Sequence, residues 1–195
     1  HKAPKLGADG VPDLTGYKMR ATGTYRPLFR ALGATTINIK SSEVITAIQR
    51  GTVDGFGFTD VSLPAIGLHK VTKYRVQPNF YQTNTVETIN LNSWKSLNQA
   101  QKDLLNRMAI EYEVTSVQYV ESERLKEEVQ IQAAGVKDIV LKGATAAKYL
   151  EIAHGEIWKE LKKRSKYHDQ LKSLLYKPGK ANRQLKIKQA LDMKR

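Results

Sequence analysis

Residues 17–21 read Tyr-Lys-Met-Arg-Ala, and residues 53–58 read Val-Asp-Gly-Phe-Gly-Phe. Both stretches predict short buried strands that run into turns. Between them, from Thr24 to Gly51, helical and β-branched patterns alternate, and a glycine follows each helical pattern. The sequence therefore predicts strand, helix, strand, helix, strand, which is typical of parallel βαβ units and an α/β fold.

Three helices are predicted around these strands. The first extends from a candidate N-cap at Thr24 to Gly33, and the second from Ser41 or Ser42 to Gly51. A third, short helix is predicted from Thr59-Asp60 to Leu68. Ser, Thr and Asp are favoured at helix starts because their side chains accept hydrogen bonds from free backbone N–H groups.

Arg20 lies in the first of these strands, where burial is expected. An unpaired buried charge is very costly, so the guanidinium requires a partner. A carboxylate can accept two parallel hydrogen bonds from this planar group. We therefore expect Arg20 to hold an acidic small molecule. The structural alternative is that Arg20 is tied to Asp54, Asp60 or carbonyls at the strand ends.

Four further residues lie close in sequence to expected ligand positions. In open α/β sheets, ligands bind at the carboxyl ends of strands, where helix N-termini point. Phe58, Thr59 and Asp60 fall at such an end, and Tyr25 follows a glycine turn after the first strand. The alternatives are a core position for Phe58, helix capping by Thr59 and Asp60, and a surface or hinge position for Tyr25.

The downstream sequence is dominated by one long helical pattern from Leu97 to Ala134, which opens with a capping-box match at Ser96–Gln99. At 1.5 Å per residue this helix would extend roughly 55 Å, so we expect it to bridge two lobes. Strands are also predicted at 74–77, 83–92 and 138–142, and further helices at 145–164, 167–176 and 181–193.

The net charge of +13 is concentrated at one end of the chain. Residues 159–195 contain 13 Lys or Arg and 3 Asp or Glu, so about ten of the charges lie there. This tail is either a solvated face or a contact for anionic lipid, nucleic acid or a partner. A basic nucleic-acid- or anionic-surface-associated protein acting through 159–195 is the alternative function.

Several site classes lack support in the sequence. The chain has no cysteine, its four histidines are scattered, and no HExxH, P-loop, GxSxG or GxGxxG motif is present. We therefore expect no cofactor, no metal and no enzymatic activity. No apolar run approaches the roughly 18–20 residues that span a bilayer. Because the chain starts at His1 without a signal-peptide pattern, we expect a mature form or a cut piece.

The stretch Asp13-Leu-Thr-Gly-Tyr-Lys-Met-Arg20 resembles the "DLKGLKIR" start of the second lobe in solute-binding proteins of TRAP transporters, the DctP type. Later segments that resemble this family are Leu32-Gly33-Ala34, Ser42-Glu43-Val44 with Ala47, Gly51–Gly55, and Ile89-Asn90 with Trp94–Leu97. The resemblance extends from about Asp13 to Trp158 and leaves out the basic tail.

This resemblance implies an α/β, periplasmic-binding-protein-like (type II) lobe with a parallel-rich sheet, a long lobe-bridging helix and C-terminal helices. It implies a periplasmic protein that closes around a small organic acid and passes it to TRAP membrane permease subunits. The family arginine that matches Arg20 pairs with the carboxylate of the acid. Because the family's first lobe precedes this segment, we expect a missing N-terminal lobe, and we expect no nucleic-acid partner.

The sequence departs from the family where the pocket is lined. Many members follow "VDGQ" or "VDGA" with a Glu-Asn or Glu-Trp pair, whereas this chain has Phe56-Gly57-Phe58-Thr59-Asp60. The family's frequent aromatic residue before the second helix is Ser41 here. We expect Phe58 to pack on the body of the ligand and the helix ends near Thr24 and Thr59 to add donors.

The predicted organisation combines the residue patterns with this resemblance. The segments are a linker or loop at 1–13, the second-lobe α/β core at 14–78, a return strand or hinge at 79–92, the bridging helix at 96–134, and C-terminal helices with a basic tail at 138–195.

Overall fold

The computed structural model describes residues 2–81 and 86–176 of the chain. Its strands are β1 (Lys5–Leu6), β2 (Pro12–Asp13), β3 (Lys18–Arg20), β4 (Thr35–Ile37), β5 (Gly55–Phe56), β6 (Tyr74–Gln77) and β7 (Lys137–Val140). Its helices are α1 (Arg26–Ala31), α2 (Val44–Gln49), α3 (Leu91–Ser96), α4 (Gln99–Ala133), α5 (Gly143–Lys162) and α6 (His168–Leu175). Short 3-10 turns lie at Ser41–Glu43 and Leu68–Lys70.

The central sheet has three parallel strands in the order β4-β3-β5. Met19 of β3 lies opposite Thr36 on one side and Gly55 on the other. Because β3 occupies the middle, its last residue is enclosed by the ends of both neighbouring strands. The predicted parallel βαβ arrangement and the α/β fold class are confirmed.

Two apolar clusters form the core of the described residues. The first joins the segment before β3 to α1 and α5, and its members are Val11, Leu14, Tyr17, Met19, Ala21, Leu28, Phe29, Leu32, Ala34, Leu141, Ala146, Tyr149, Leu150 and Ala153. The second lies around α2 and includes one residue of α4; its members are Val44, Ala47, Ile48, Val53, Leu63, Leu68 and Ile131. Burial of these side chains fixes the helices against the sheet, since apolar burial contributes about 25 cal/mol per Å².

The turn after α1 depends on Gly33. Its φ is +92°, in the left-handed region that glycine adopts without a Cβ penalty. A Cβ at this position would lie 2.6 Å from the hydroxyl oxygen of Thr15. The glycine therefore both ends the helix and lets the chain before β3 approach it closely.

A second parallel pair, β6 and β7, lies next to the end of α4. Arg75 of β6 binds Asp138 through Nε at 2.7 Å and Nη2 at 2.9 Å. The same guanidinium binds Glu128 of α4 through Nη1 and Nη2, both at 2.8 Å. Arg75 therefore ties two strands and the last turns of the long helix into one unit.

Helix α4 has 35 residues, which at 1.5 Å each gives about 50 Å. Its buried residues are Glu127 and Ile131, both in the last two turns. Upstream of them, the exposed large apolar side chains are Leu104, Leu105, Met108, Ile110, Tyr112, Val114, Val117, Tyr119, Val120 and Leu125. The long helix is thus anchored at its C-terminal end and carries apolar side chains that no described element covers.

The capping box of α4 lies two residues later than predicted. The side chain of Asn98 accepts from the Gln101 N–H at 2.9 Å, and the Gln101 side chain accepts from the Asn98 N–H at 3.0 Å. Ser96 belongs instead to α3, where its hydroxyl donates to the Ser93 carbonyl. The prediction of Ser96–Gln99 was wrong because two polar residues of similar capping ability, Ser96 and Asn98, compete at this site.

The predicted helix from Thr59 to Leu68 is also wrong. These residues form bends and turns, with the 3-10 turn beginning only at Leu68. Pro64 lacks a backbone N–H, and Gly67 adopts a left-handed φ of +76°. The two residues together interrupt a helix that the apolar spacing alone would allow.

Other local predictions differ from the structure in smaller ways. The segment predicted as loop at 1–13 contains the antiparallel β1–β2 ladder. Neither Thr24 nor Ser41 or Ser42 caps a helix: Tyr25 and Lys40 occupy the N-cap positions of α1 and the first 3-10 turn, without side-chain cap bonds.

The predicted strand at 83–92 falls partly outside the described residues. Residues 86–90 have no strand, and Leu91 begins α3, whose N-cap is Asn90. The predicted helix at 181–193 and the tail from 177 onward also lie outside the described residues. Among the helices that the structure describes, none is long and apolar enough to cross a membrane.

Candidate functional site

Arg20 is the last residue of β3 and only 3% of it is exposed. Its Nε donates to the Ile39 carbonyl at 2.8 Å, its Nη1 to the Gly57 carbonyl at 3.1 Å, and its Nη2 to the Ser41 hydroxyl at 3.2 Å. These acceptors follow β4 and β5, the two strands that flank β3. The guanidinium is therefore held in one place by neutral groups at the carboxyl edge of the sheet.

The charge of Arg20 has no carboxylate partner within ion-pair distance among residues 2–81 and 86–176. Burial lowers the pKa of Arg20, because desolvation disfavours the charged form, and nearby Tyr25 acts in the opposite direction. A guanidinium has five N–H groups. Since one N–H on each of Nε, Nη1 and Nη2 is used, one remains on each Nη atom, and a carboxylate has two oxygens that can accept such donors.

The two aspartates considered as structural partners of Arg20 are engaged elsewhere. Asp54 accepts from the Lys18 N–H at 2.9 Å and lies 3.8 Å from the Lys2 ammonium. Asp60 accepts from the Asn79 amide at 2.7 Å. Of the three structural partners considered for Arg20, only the carbonyls at the strand ends bind it.

Tyr25 is half-buried beside Arg20 and packs against Gly57. A Cβ at Gly57 would lie 2.6 Å from Cγ of Tyr25, so the ring rests directly on the glycine. The ring also meets Phe80 edge-on, with centroids 6.0 Å apart. Burial raises the pKa of Tyr25, Arg20 opposes this, and Asp60 adds to it. The structure therefore brings Tyr25 into the electrostatic surroundings of Arg20.

The remaining candidates lie on the loop after β5. Phe58 is half-buried and packs against the second apolar cluster. Thr59 is exposed and its hydroxyl donates to the Val61 carbonyl at 2.7 Å. Asp60 is half-buried and bonded to Asn79, as described above. Thr59 and Asp60 do not cap a helix, because no helix follows them.

Three residues around Arg20 were missed by sequence reasoning: Ile39, Ser41 and Gly57. Ile39 and Gly57 contribute backbone carbonyls, which no side-chain pattern reveals. Ser41 did carry a signal, because it replaces an aromatic residue frequent in the family that the sequence resembles. Within the described part of the chain, no group of three or more His, Cys, Asp or Glu could hold a metal ion.

The family model for bacterial extracellular solute-binding proteins, family 7 (DctP), matches residues 9–165. The chain belongs to this family. The match includes the central sheet, Arg20 and all of α4 and α5, so the resemblance seen in the sequence is confirmed. Members of this family bind solutes for transport, and the family is not an enzyme family.

Solved structures of TRAP periplasmic solute-binding proteins share the fold. A protein from Rhodoferax ferrireducens with bound malonate is 18% identical, with a TM-score of 0.67 over 90% of this chain and 59% of that one. A protein from Desulfovibrio salexigens with bound orotic acid is 22% identical, with a TM-score of 0.68 over 83% and 53%. An open, ligand-free protein from Rhodobacter sphaeroides is 25% identical, with a TM-score of 0.61 over 86% and 54%.

The lengths of these proteins differ from that of this chain. The chain spans between 53% and 59% of the three solved relatives, whereas at least 83% of its own length is matched. The periplasmic-binding-protein-like fold is therefore shown for the part of these proteins that the chain matches.

Proposed function

We propose that this chain forms one lobe of a periplasmic solute-binding protein that captures a small organic acid at Arg20 and delivers it to TRAP membrane permease subunits. The observation that carries this proposal is the state of Arg20. The guanidinium is 3% exposed, fixed by three neutral acceptors, and retains one N–H on each Nη atom. A buried cation of this kind is stabilised when a carboxylate binds it.

The other candidates take distinct roles in the proposed site. Tyr25 lies beside Arg20 and offers a phenol hydroxyl to a bound acid, while Phe58 supplies an apolar surface for its body. Thr59 and Asp60 belong to the loop that frames the site. Solved relatives bind malonate, orotic acid and L-gulonate, three acids of different shape. Their common carboxylate supports an acid as the solute class here.

A preceding lobe of the same protein completes the proposed cleft. The apolar side chains of α4 from Leu104 to Leu125 are exposed, and burying a Leu or Val side chain is worth about 1.5–3 kcal/mol. We assign this segment to the contact with the preceding lobe, so that α4 bridges the lobe core of 14–78 and its partner. Closure of the two lobes would exclude water and strengthen the ion pair at Arg20.

The alternative function through residues 159–195 has less support in the described residues. Lys163 and Arg164 both pair with Glu160 of α5, at 3.1 Å and 2.9 Å. Lys159 pairs with Glu156 on the same helix. Part of the positive charge is thus compensated locally, which weakens an electrostatic contact with nucleic acid.

A thermal-shift screen of the protein with its preceding lobe tests the proposal. The panel contains malonate, orotate, L-gulonate and 3-hydroxybenzoate. A ligand at one hundred times its Kd stabilises the native state by about 2.7 kcal/mol, which raises the Tm by several degrees. We expect at least one acid to give this shift, and we expect Arg20→Ala and Arg20→Lys to abolish it, because neither presents a two-pronged donor.

The matched control is Arg30→Ala, which removes an exposed arginine of α1 whose side chain donates to the Thr36 hydroxyl. This variant should keep the full shift. Unchanged acid affinity in folded Arg20→Ala would show that Arg20 does not hold the acid. No shift with any acid, together with salt-dependent binding of duplex DNA, would favour the function through 159–195.

A further inference from the structure

Loop 57–62, which follows β5 and contacts Arg20 through Gly57, is held at three points. At its start, the Gly57 carbonyl accepts from Arg20 at 3.1 Å, and the Gly57 N–H donates to the Arg20 carbonyl at 3.1 Å. In its middle, Asp60 accepts from Asn79 at 2.7 Å. At its end, the Ser62 N–H donates to the Glu127 carboxylate at 2.6 Å. The first anchor comes from β3, the second from the segment after β6, and the third from the long helix α4.

The Ser62 anchor holds a backbone shape that is unfavourable by itself. Ser62 has a φ of +78°, in the left-handed region that a residue with a Cβ adopts at a cost of about 1–2 kcal/mol. Such a conformation persists only where surrounding contacts determine it. The hydrogen bond to Glu127 is the contact that the structure shows at the Ser62 N–H.

Glu127 is itself fixed by its position on α4. The residue is 8% exposed and lies one turn from Ile131, which is 2% exposed in the second apolar cluster. The next residue, Glu128, is bound by both Nη atoms of Arg75. The second apolar cluster and Arg75 hold the C-terminal end of α4 in place. This end of the helix therefore fixes the position of the Glu127 carboxylate.

We infer that Glu127 is a positioning residue for the acid site, which fixes loop 57–62 from the side of α4. This inference rests on the proposed function at Arg20. Glu127 touches neither Arg20 nor any solute in this role. It sets the left-handed turn at Ser62, so that the loop between Gly57 and Ser62 keeps one shape, with Asp60 and Thr59 in fixed places.

The arrangement also connects the site to the rest of α4. The same helix that holds Ser62 at its C-terminal end carries the apolar segment assigned to the preceding lobe. A change in the angle between α4 and the sheet therefore acts directly on loop 57–62. Glu127 would be the point at which closure of the lobes reaches the loop.

The test compares Glu127→Ala and Glu127→Gln in the protein with its preceding lobe. Gln retains a side-chain oxygen that accepts the Ser62 N–H, whereas Ala leaves this donor without its acceptor. Hydrogen exchange of a peptide spanning 58–66 reports the loop, and calorimetry with malonate, orotate and 3-hydroxybenzoate reports the acid site. Glu123→Ala, which removes only a carboxylate paired with Lys126 on the same helix, is the control.

We expect Glu127→Ala to speed exchange at the loop about tenfold or more and to weaken acid binding about tenfold. Glu127→Gln should remain within about threefold of the unaltered protein for both measurements, and Glu123→Ala should change neither. A role confined to helix packing would lower the Tm in Glu127→Ala and leave loop exchange and affinity unchanged, which would overturn the inference.

Failure of the proposed function has a different signature. If the unaltered protein binds none of the four acids of the thermal-shift panel, the acid site is refuted, and the assignment of Glu127 to that site falls with it. Loop exchange in Glu127→Ala then still shows whether Glu127 fixes the turn at Ser62.

Discussion

Arg20 and Arg75 have opposite surroundings in this structure. Arg75 makes four hydrogen bonds to two carboxylates, those of Glu128 and Asp138. Arg20 is more deeply buried and makes three bonds, all to neutral oxygens. The first arginine has its charge compensated within the fold, and the second does not.

The pKa values of the two groups follow this difference. The hydrogen bonds that Arg75 donates to Glu128 and to Asp138 raise the pKa of Arg75, whereas burial lowers the pKa of Arg20. Arg75 has the surroundings of a structural arginine, and the proposed ligand-binding role of Arg20 rests on its lack of such partners. Burial alone does not separate these two roles, but the charge of the acceptors does.

Removing Arg75 should have the largest effect on stability. Arg75→Met leaves Glu128 and Asp138 without their cation, and we expect the free energy of unfolding to fall by about 2–3 kcal/mol, since both carboxylates are partly solvated. Urea unfolding measures this change. Acid affinity should remain within a few-fold at temperatures where the variant is folded. A loss of affinity as large as in Arg20→Ala would break the proposed division between the two arginines.

A smaller effect is expected where Tyr25 packs beside Arg20. Gly57→Ala places a Cβ against the Tyr25 ring, and such overpacking costs about 1–3 kcal/mol. We expect both the free energy of unfolding and acid affinity to decrease, because the ring and the Gly57 carbonyl must shift. Gly23→Ala is the matched control, since no atom lies within 4 Å of its added Cβ. Equal losses in the two variants would contradict the role of Gly57.

The smallest effect concerns the protonation of Tyr25. Burial raises its pKa and Arg20 lowers it, so Arg20→Met should raise the pKa further, while Arg75→Met should leave it unchanged. A pH titration of the tyrosine Cζ resonance by NMR measures this. Because the folded pKa exceeds the unfolded one, Tyr25 contributes stability below about pH 10 that is lost as the pH rises further. A lower Tyr25 pKa in Arg20→Met would refute the electrostatic contact.

Much of the fold follows from local sequence signals. The spacing of Leu28, Phe29 and Leu32 identified a buried helical face, and β-branched residues at 35–39 identified the following strand. Arg20 was identified as a candidate site residue because charged side chains are rarely fully buried unless they are paired. The order of these signals was sufficient for the parallel sheet, since βαβ connections allow few other arrangements.

The remaining features depend on contacts between distant residues. Arg75 binds partners that are 53 and 63 positions away, and Ser62 binds Glu127 across 65 positions. No periodicity reports such pairs. The loop at 59–68 was mistaken for a helix because Thr59 and Asp60 are favoured at helix starts, while Pro64 and Gly67 were not considered. Two of the three acceptors of Arg20 are backbone carbonyls, which any residue could supply.

The placement of Arg20 has a consequence for how such proteins diversify. The cation is embedded in the middle strand, where mutation would disturb the sheet, whereas the proposed wall of the site comes from the loop after β5. Under the proposed function, substitutions in that loop would change the preferred solute while Arg20 still binds its carboxylate. Solute preference could then evolve through single loop substitutions, without changes to the sheet.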